Sequence, residues 1–157
     1  MANDIFRASS KTPLMRAFLA IALLTAVLFG WVAVRRQIGS MLADLTSAAD
    51  PNADDIATVA RRMSPNDPRG AWLQASLERN VFSVERTESA VRLFEQTIRL
   101  SPYDYRWWIE LARSYEQAER PADAERALKQ AVAIAPEYAF IKWQMGNFYL
   151  RQKRPDD

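Results

Sequence analysis

Residues 105–138 read YRWWIELARSYEQAERPADAERALKQAVAIAPEY, and the spacing of small, aromatic and proline residues in this stretch recurs on both sides of it. When the chain is shifted by 34 residues, similar residues coincide along much of its second half. The pairs are Leu77 with Leu111, Ala90 with Ala124, Phe94 with Leu128, Pro102 with Pro136, Leu111 with Met145, Ala112 with Gly146, and Tyr115 with Tyr149. A fixed period of this length predicts a stack of similar helix pairs.

The same stretch resembles the tetratricopeptide repeat family. The family pattern begins W-x2-L-G-x2-Y and continues with a small residue, a large residue and a proline. The matching residues here are Trp108, Leu111, Ala112, Tyr115, Ala124, Leu128, Ala131 and Pro136. The chain departs from the pattern at Ala112, where the family has glycine, and at Leu128, where it has phenylalanine. The resemblance implies an all-α fold in which antiparallel helix pairs stack as a short α-solenoid.

The repeat pattern and the hydropathy divide the chain into four parts. They are a polar N-terminal tail (1–16), a transmembrane helix (17–36), an amphipathic helix with a tetratricopeptide-like half-repeat (37–66), and a repeat domain (67–157). Within that domain we distinguish a degenerate repeat (67–104), the best repeat (105–138), and a terminal helix with its tail (139–157). The degenerate repeat is expected to have a turn lengthened by about three residues around 80–86. The amphipathic helix is either separate or a continuation of the transmembrane helix.

The stretch from Ala17 to Val34 is apolar except for Thr25 and Gly30. At about 1.5 Å per residue it spans roughly 27 Å, close to the ~30 Å hydrocarbon core of a bilayer. A cleaved signal peptide and a buried core helix are the alternatives, but the run is long for the first and lacks the charges of the second. Residues 17–34 are therefore expected to contact membrane lipid. The predicted membrane-interface residues are Arg16, Trp31, Arg35 and Arg36.

The basic residues are concentrated around this apolar segment. Residues 1–36 carry five basic residues and one acidic residue, whereas 37–157 carry 16 basic and 18 acidic residues. The soluble part is thus slightly acidic, which argues against binding to nucleic acid. Three basic residues precede the span and two follow it closely, which favours a cytoplasmic N-terminus. We expect a single-pass protein of a bacterial inner membrane with its repeats in the periplasm.

The residue types present leave little for catalysis. The chain contains no histidine and no cysteine, so it lacks the commonest general base, the commonest metal ligand and any thiolate. No glycine-rich phosphate loop is present. The sequence therefore predicts a protein that is not an enzyme and has no cofactor, no metal and no small-molecule substrate.

Two surfaces are candidates for binding a protein partner. The family resemblance implies a concave groove lined by the first helix of each pair, and arginine, asparagine and tryptophan there suit an extended peptide with an acidic or C-terminal group. The alternative is a solvated helix face whose arginines pair with Glu110 or Glu116. The predicted groove residues are Arg106, Ile109, Arg113, Phe140, Trp143, Asn147 and Arg151.

The second surface is the C-terminal edge. The last helix is apolar on nearly all sides, and a solenoid ordinarily ends in a helix with a polar outer face. The predicted edge residues are Ile141, Phe148 and Leu150. The alternative is that some of these side chains fold back onto the preceding pair.

Together these features predict a membrane-tethered scaffold or assembly factor that binds a protein partner through the groove or the edge. The alternative is an accessory structural subunit of a larger integral-membrane complex, such as a respiratory, photosynthetic, secretion or polysaccharide-export assembly. Either function is binding without chemistry.

Overall fold

The protein was analysed as a computed structural model that describes residues 13–81 and 83–153. Most of the predicted polar tail and the last four residues of the C-terminal tail lie outside these ranges. Every regular element in the described residues is a helix, which confirms the predicted all-α fold. The helices are α1 (Pro13–Leu45), α2 (Ala53–Met63), α3 (Pro68–Arg79), α4 (Val84–Leu100), α5 (Tyr105–Gln117), α6 (Pro121–Ile134) and α7 (Ala139–Arg151).

The chain divides into two compact units, residues 1–37 and residues 38–157. The described part of the first unit is the apolar portion of α1, whose large side chains, such as Phe18 and Phe29, are exposed. The hydroxyl of Thr25 donates hydrogen bonds to the carbonyl oxygens of Ile21 and Ala22, at 2.9 and 2.8 Å. The polar side chain within the apolar stretch is therefore satisfied inside the helix, as a bilayer requires. This helix is long and apolar enough to span a membrane.

In the second unit, residues 38–45 form the last turns of α1 and pack against the repeats. Gly39, Ser40 and Ala43 are its buried residues. Of the two alternatives for the amphipathic helix, continuation is correct, because α1 runs without interruption to Leu45. The half-repeat then supplies α2, whose alanines at positions 53, 57 and 60 are buried.

Short polar residues and prolines set the helix starts. Asp67, Ser83 and Asp104 are N-caps whose side chains accept a hydrogen bond from a backbone N–H of the first turn. Pro68 and Pro121 occupy the first helical position, where the missing N–H has no helical partner to lose. From α2 to α7, each helix packs against the next one in the chain. Local sequence thus produces helical hairpins, and their stacking produces the core.

The degenerate repeat has a different register from the one that the 34-residue shift predicts. The N-caps Asp67 and Asp104 lie 37 residues apart, so Ala75 rather than Leu77 occupies the position related to the buried first helix of the best repeat. Ala75 and Ala112 are both buried. The three extra residues extend the start of α4, which has 17 residues against 14 in α6. The predicted lengthening is therefore helical rather than a longer turn.

A main core joins α3 to α7 around Phe94 and Phe148, both of which are fully buried. Two tyrosines of the repeat pattern lie at its margin. The Tyr115 hydroxyl donates to Glu95 at 2.8 Å, and the Tyr149 hydroxyl donates to Glu125 at 3.3 Å. Burial, with a further contribution from the hydrogen bond to Glu95, raises the pKa of Tyr115 to about 12. Each tyrosine thus anchors the first helix of one repeat to the second helix of the repeat before it.

Candidate partner-binding surfaces

An open cleft of about 650 Å³ lies along the first helices of successive repeats. We call it the arginine cleft. It is lined by residues of α3, α5 and α7 and by the residue that follows α7. The lining residues are Arg79, Arg113, Glu116, Gln117, Gln144, Arg151 and Gln152. Three guanidinium groups and three side-chain amides therefore surround one open space, which contains far more donors than carboxylates.

Glu110 holds two of the three arginines at the edge of the cleft. Arg79 lies 2.5 Å from one carboxylate oxygen of Glu110, and Arg113 lies 3.1 Å from the other. Arg79 also donates to the backbone carbonyl of Glu110 at 3.4 Å, which links the end of α3 to α5. One carboxylate shared by two guanidiniums leaves several of their N–H donors unused, because each guanidinium has five.

The third arginine connects α5 with α7. The Arg151 guanidinium contacts both oxygens of the Glu116 carboxylate, at 3.1 and 2.8 Å. A two-point contact of this kind fixes the plane of the guanidinium. Because the cleft arginines are paired with Glu110 and Glu116, the alternative of paired arginines describes their resting state. The pairs orient the side chains without filling the cleft.

The structure brings two of the seven predicted groove residues, Arg113 and Arg151, into the arginine cleft. Arg106 is exposed and bonds to the N-cap Asp104 at 2.6 to 3.2 Å instead. The expectation that Ile109 faces a partner is wrong, because this side chain is only 4% exposed and packs in a small core with Ala131 and Ile141. Asn147 is half-buried and does not line the cleft.

Phe140 and Trp143 belong to a second surface, an exposed row of aromatic rings. Their ring centroids lie 5.8 Å apart in a stacked arrangement. Tyr138 continues the row to Phe140 at 6.2 Å and to Tyr105 at 5.2 Å. These rings mark the start of α5 and α7 and lie outside the arginine cleft as its lining residues define it.

Sequence reasoning missed Arg79, Gln144 and Gln152 as cleft residues. A signal for Arg79 was present, because it precedes Arg113 by the 34-residue period. No comparable signal marks the two glutamines. Their place in the cleft follows from the direction in which α7 faces α5.

Two of the three predicted edge residues are not on the surface. Ile141 and Phe148 are fully buried, so the expectation that they form an exposed edge is wrong. They lie seven residues apart on one side of α7, and that side packs on the preceding pair: Ile141 against Ile109, and Phe148 in the main core. Folding back, the alternative considered above, is correct for both. Leu150 points the other way and is 62% exposed.

The predicted membrane-interface residues all lie on α1. Arg16, Trp31, Arg35 and Arg36 are exposed, with the arginines at both ends of the apolar stretch. Arginine side chains at the ends of an apolar helix can reach the polar headgroups of a bilayer, and tryptophan is favoured there. Their exposure agrees with an interfacial position, which stays a prediction.

Comparisons with known proteins agree with this architecture. Residues 82–139 match the tetratricopeptide repeat family. Among solved structures, a crystal structure of MamA is similar with a TM-score of 0.60 and 14% identity, over 80% of this chain and 70% of that one. A MamA fragment from Desulfovibrio magneticus RS-1, spanning residue 41 to its end, has a TM-score of 0.59 and 19% identity, over 79% of this chain and 67% of that one. No curated protein is significantly similar to this chain.

The chain is thus a helical repeat protein of the tetratricopeptide type. Folds of this type are built for interaction between proteins, because stacked pairs create extended concave surfaces. The likeness to MamA concerns the fold, since the identities are low.

Proposed function

We propose that the protein is a membrane-tethered scaffold that holds an extended, acidic segment of a partner protein in the arginine cleft. The observation that carries the proposal is the convergence of Arg79, Arg113 and Arg151, from three successive first helices, on one open space. A segment lying across these helices would meet one guanidinium from each. Arginine is the side chain best suited to pair with carboxylates in two-point contacts.

The polar chemistry of the cleft favours a peptide over a small apolar ligand. Gln117, Gln144 and Gln152 offer amide donors and acceptors that match the N–H and C=O groups of an extended backbone. The cleft is open along its length rather than enclosed, as a groove for a chain segment must be. Neither histidine nor cysteine is present for catalysis, so we propose binding without chemistry, no cofactor and no small-molecule substrate.

The apolar helix α1 supports the tether. It is long and apolar enough to cross a bilayer, and its one hydroxyl in the apolar stretch is satisfied internally. A tether raises the effective concentration of the repeats near other membrane proteins, so a weak contact in the cleft can suffice. From the distribution of basic residues we propose a bacterial inner membrane, a cytoplasmic N-terminus and periplasmic repeats.

A second candidate function is that of an accessory subunit of a larger membrane complex. It is favoured by the exposed apolar side chains of α7, with Trp143 and Leu150 both more than half exposed. A permanent neighbour would cover such residues, whereas a transient peptide in the cleft would not. A stoichiometric complex that survives purification in mild detergent and high salt would favour this alternative.

The scaffold proposal is tested by peptide binding to the full chain in detergent micelles. The probe is a fluorescein-labelled extended peptide of alternating aspartate and alanine with a free C-terminus, and the control peptide has asparagine for aspartate and a C-terminal amide. Fluorescence anisotropy should show at least ~10-fold tighter binding of the acidic peptide, falling with added salt. Equal affinity for the two peptides would overturn the proposal.

Variants locate the site. Combining Arg113→Ala with Arg151→Ala should weaken the acidic peptide at least ~10-fold, since charge-assisted bonds to arginine are worth about 1.5–3 kcal/mol each. The matched control is Arg126→Ala, an arginine on α6 that is paired with Asp123 outside the cleft. An unchanged affinity in the double variant, with an unchanged thermal transition, would move the site elsewhere.

A further inference from the structure

The internal repeat allows each position of α7 to be compared with its equivalent on α5. Ile109 and Trp143 are equivalent positions, 34 residues apart. Ile109 is 4% exposed because Ile141 of the following first helix covers it, whereas Trp143 is 61% exposed. The same position is therefore covered by a helix in one repeat and open in the next.

The positions next to this pair behave in the same way. Ala112 is 1% exposed, since it lies in the core that α5 shares with α6. Its equivalent, Gly146, has open space around it: a Cβ added there would meet nothing within 4 Å. A glycine in the middle of an exposed helix allows another backbone to approach closely. The open side of α7 thus has the geometry that a helix covers on α5.

The charge on this side of α7 has one sign. Residues 139–153 contain Lys142, Arg151 and Lys153 and no acidic residue. Arg151 is already paired with Glu116. Lys142 and Lys153 are exposed near the two ends of α7, and neither forms an ion pair with a residue in the described ranges. Any helix that covers this side meets a lysine at each end.

We propose that the open side of α7 docks an amphipathic helix of a partner protein that carries acidic residues at both ends of its apolar face. We call the surface the α7 face and define it as Lys142, Trp143, Gly146, Leu150 and Lys153. Trp143 and Leu150, seven residues apart, supply apolar contact, Gly146 between them admits the partner backbone, and the lysines pair with its carboxylates. The inference rests on the proposed function in that it names a second contact of the same scaffold.

Two other occupants fit the α7 face less well. A second copy of this chain docked through the same face would bring only lysines to the lysines, and like charges on adjacent helices repel. A lipid surface would accept the tryptophan and the lysines, but it gains nothing from a glycine between the apolar residues. Small residues at the centre of a helix face are instead the mark of close packing between helices.

The test uses the full chain in detergent micelles and two fluorescein-labelled 18-residue helical peptides. Both have the same leucine and alanine face, and one has glutamates at both ends where the other has lysines. Anisotropy should show the glutamate peptide binding at least ~10-fold more tightly than the lysine peptide, with an affinity that falls as salt is added. Equal binding of the two peptides, or no binding of either, overturns the proposal.

Gly146 provides the decisive variant, because a side chain there cannot disturb the fold. Gly146→Leu should weaken the glutamate peptide at least ~10-fold by blocking close approach. The matched control is Ala133→Leu, which adds a leucine at an exposed position of α6. Both variants should keep the thermal transition of the wild type by circular dichroism. An undiminished affinity in Gly146→Leu overturns the proposal.

Crosslinking distinguishes the other occupants. A benzoylphenylalanine in place of Leu150 should crosslink to the glutamate peptide in a saturable way. Adducts to a second copy or to lipid that persist at saturating peptide would overturn the proposal. If the helical peptides fail while the acidic extended peptide still binds the arginine cleft, this inference is wrong and the proposed function stands.

Discussion

The hydroxyl of Ser40, near the end of α1, donates a 2.5 Å hydrogen bond to the carboxylate of Asp67, the N-cap of α3. The same carboxylate accepts bonds from the backbone N–H of Arg69 at 2.9 Å and from the Arg69 guanidinium at 2.9 and 2.7 Å. The Arg69 guanidinium also pairs with Asp44 of α1. Within the second unit, Asp67 therefore joins the last turns of α1 to the first turn of α3.

The stability contributed by Asp67 should depend on pH. Burial raises the pKa of Asp67, but the hydrogen bonds from Arg69 and Ser40 together lower it from 3.8 to about 2. Because the folded-state pKa lies below the unfolded one, the carboxylate stabilises the fold above pH ~4 and loses this effect as the pH falls toward ~2.

Asp67→Asn should therefore lower the free energy of unfolding by about 1–2 kcal/mol at pH 7, less than the full pKa shift implies since the group is partly solvated. Near pH 2 the difference should shrink to about a few tenths of a kcal/mol. Chemical denaturation of both proteins between pH 7 and pH 2 measures this. A difference that stays constant over that range contradicts the role assigned to the carboxylate.

Two glycines should respond to alanine with opposite signs. At Gly39 a Cβ would lie 2.7 Å from Ser64 Oγ and 2.9 Å from the Cβ of Met63, so Gly39→Ala should cost about 1–3 kcal/mol. At Gly146 the space is open, so Gly146→Ala should stabilise the fold by about 0.5–1 kcal/mol through helix propensity alone. Thermal unfolding compares them. Stabilisation by both alanines would mean that α1 does not pack on Ser64 as described.

Phe148 and Leu150 lie on opposite sides of one helix and provide a matched pair. Phe148→Ala should destabilise by about 3–5 kcal/mol, because it empties a fully buried position in the main core. Leu150→Ala should change stability by no more than about 0.5 kcal/mol in the isolated chain. Urea denaturation with a common slope measures both. Similar losses for the two variants would show that the side of α7 facing the core has been misassigned.

The membrane tether can be tested by charges in the middle of α1. Leu24→Arg combined with Leu28→Arg should release the protein from membranes, since each arginine at the centre of a span costs about 2.5–3.5 kcal/mol. The control combines Leu14→Arg with Val34→Arg at the two ends, where arginine can reach the headgroups. The readout is the fraction that stays in the membrane pellet after carbonate extraction. Retention of the central variant, or loss of the wild type, would argue against a spanning helix.

Much of the fold could be predicted from the sequence because its signals are local. The N-cap Asp104, the proline at 121 and the small residue at 112 act within one or two turns, and they recur with the repeat period. The three-residue register change in the degenerate repeat escaped, since an extra turn at the start of α4 obeys the same helical pattern. Composition marked the apolar stretch of α1 for the same local reason.

The candidate sites were predictable only in part. Arg113 and Arg151 were identified as groove residues and line the arginine cleft. Ile109 is buried although it was expected in the groove, because the helix that covers it is 32 residues away in sequence, at Ile141. Trp143, its equivalent, remains exposed. Side chains with the same place in the repeat thus have opposite environments, which no repeat pattern contains.

The sequence by itself determined that this protein is a helical repeat chain of the tetratricopeptide type with an apolar N-terminal helix, because periodicity, caps and hydropathy act over a few neighbouring residues. Only the tertiary structure decided that Ile141 and Phe148 face inward, that Arg79 joins Arg113 and Arg151 in one cleft, and that the side of α7 around Gly146 stays open. Burial is a property of what packs against a residue, and on α7 nearly every side is apolar, so neighbouring helices rather than the pattern choose the face that enters the core.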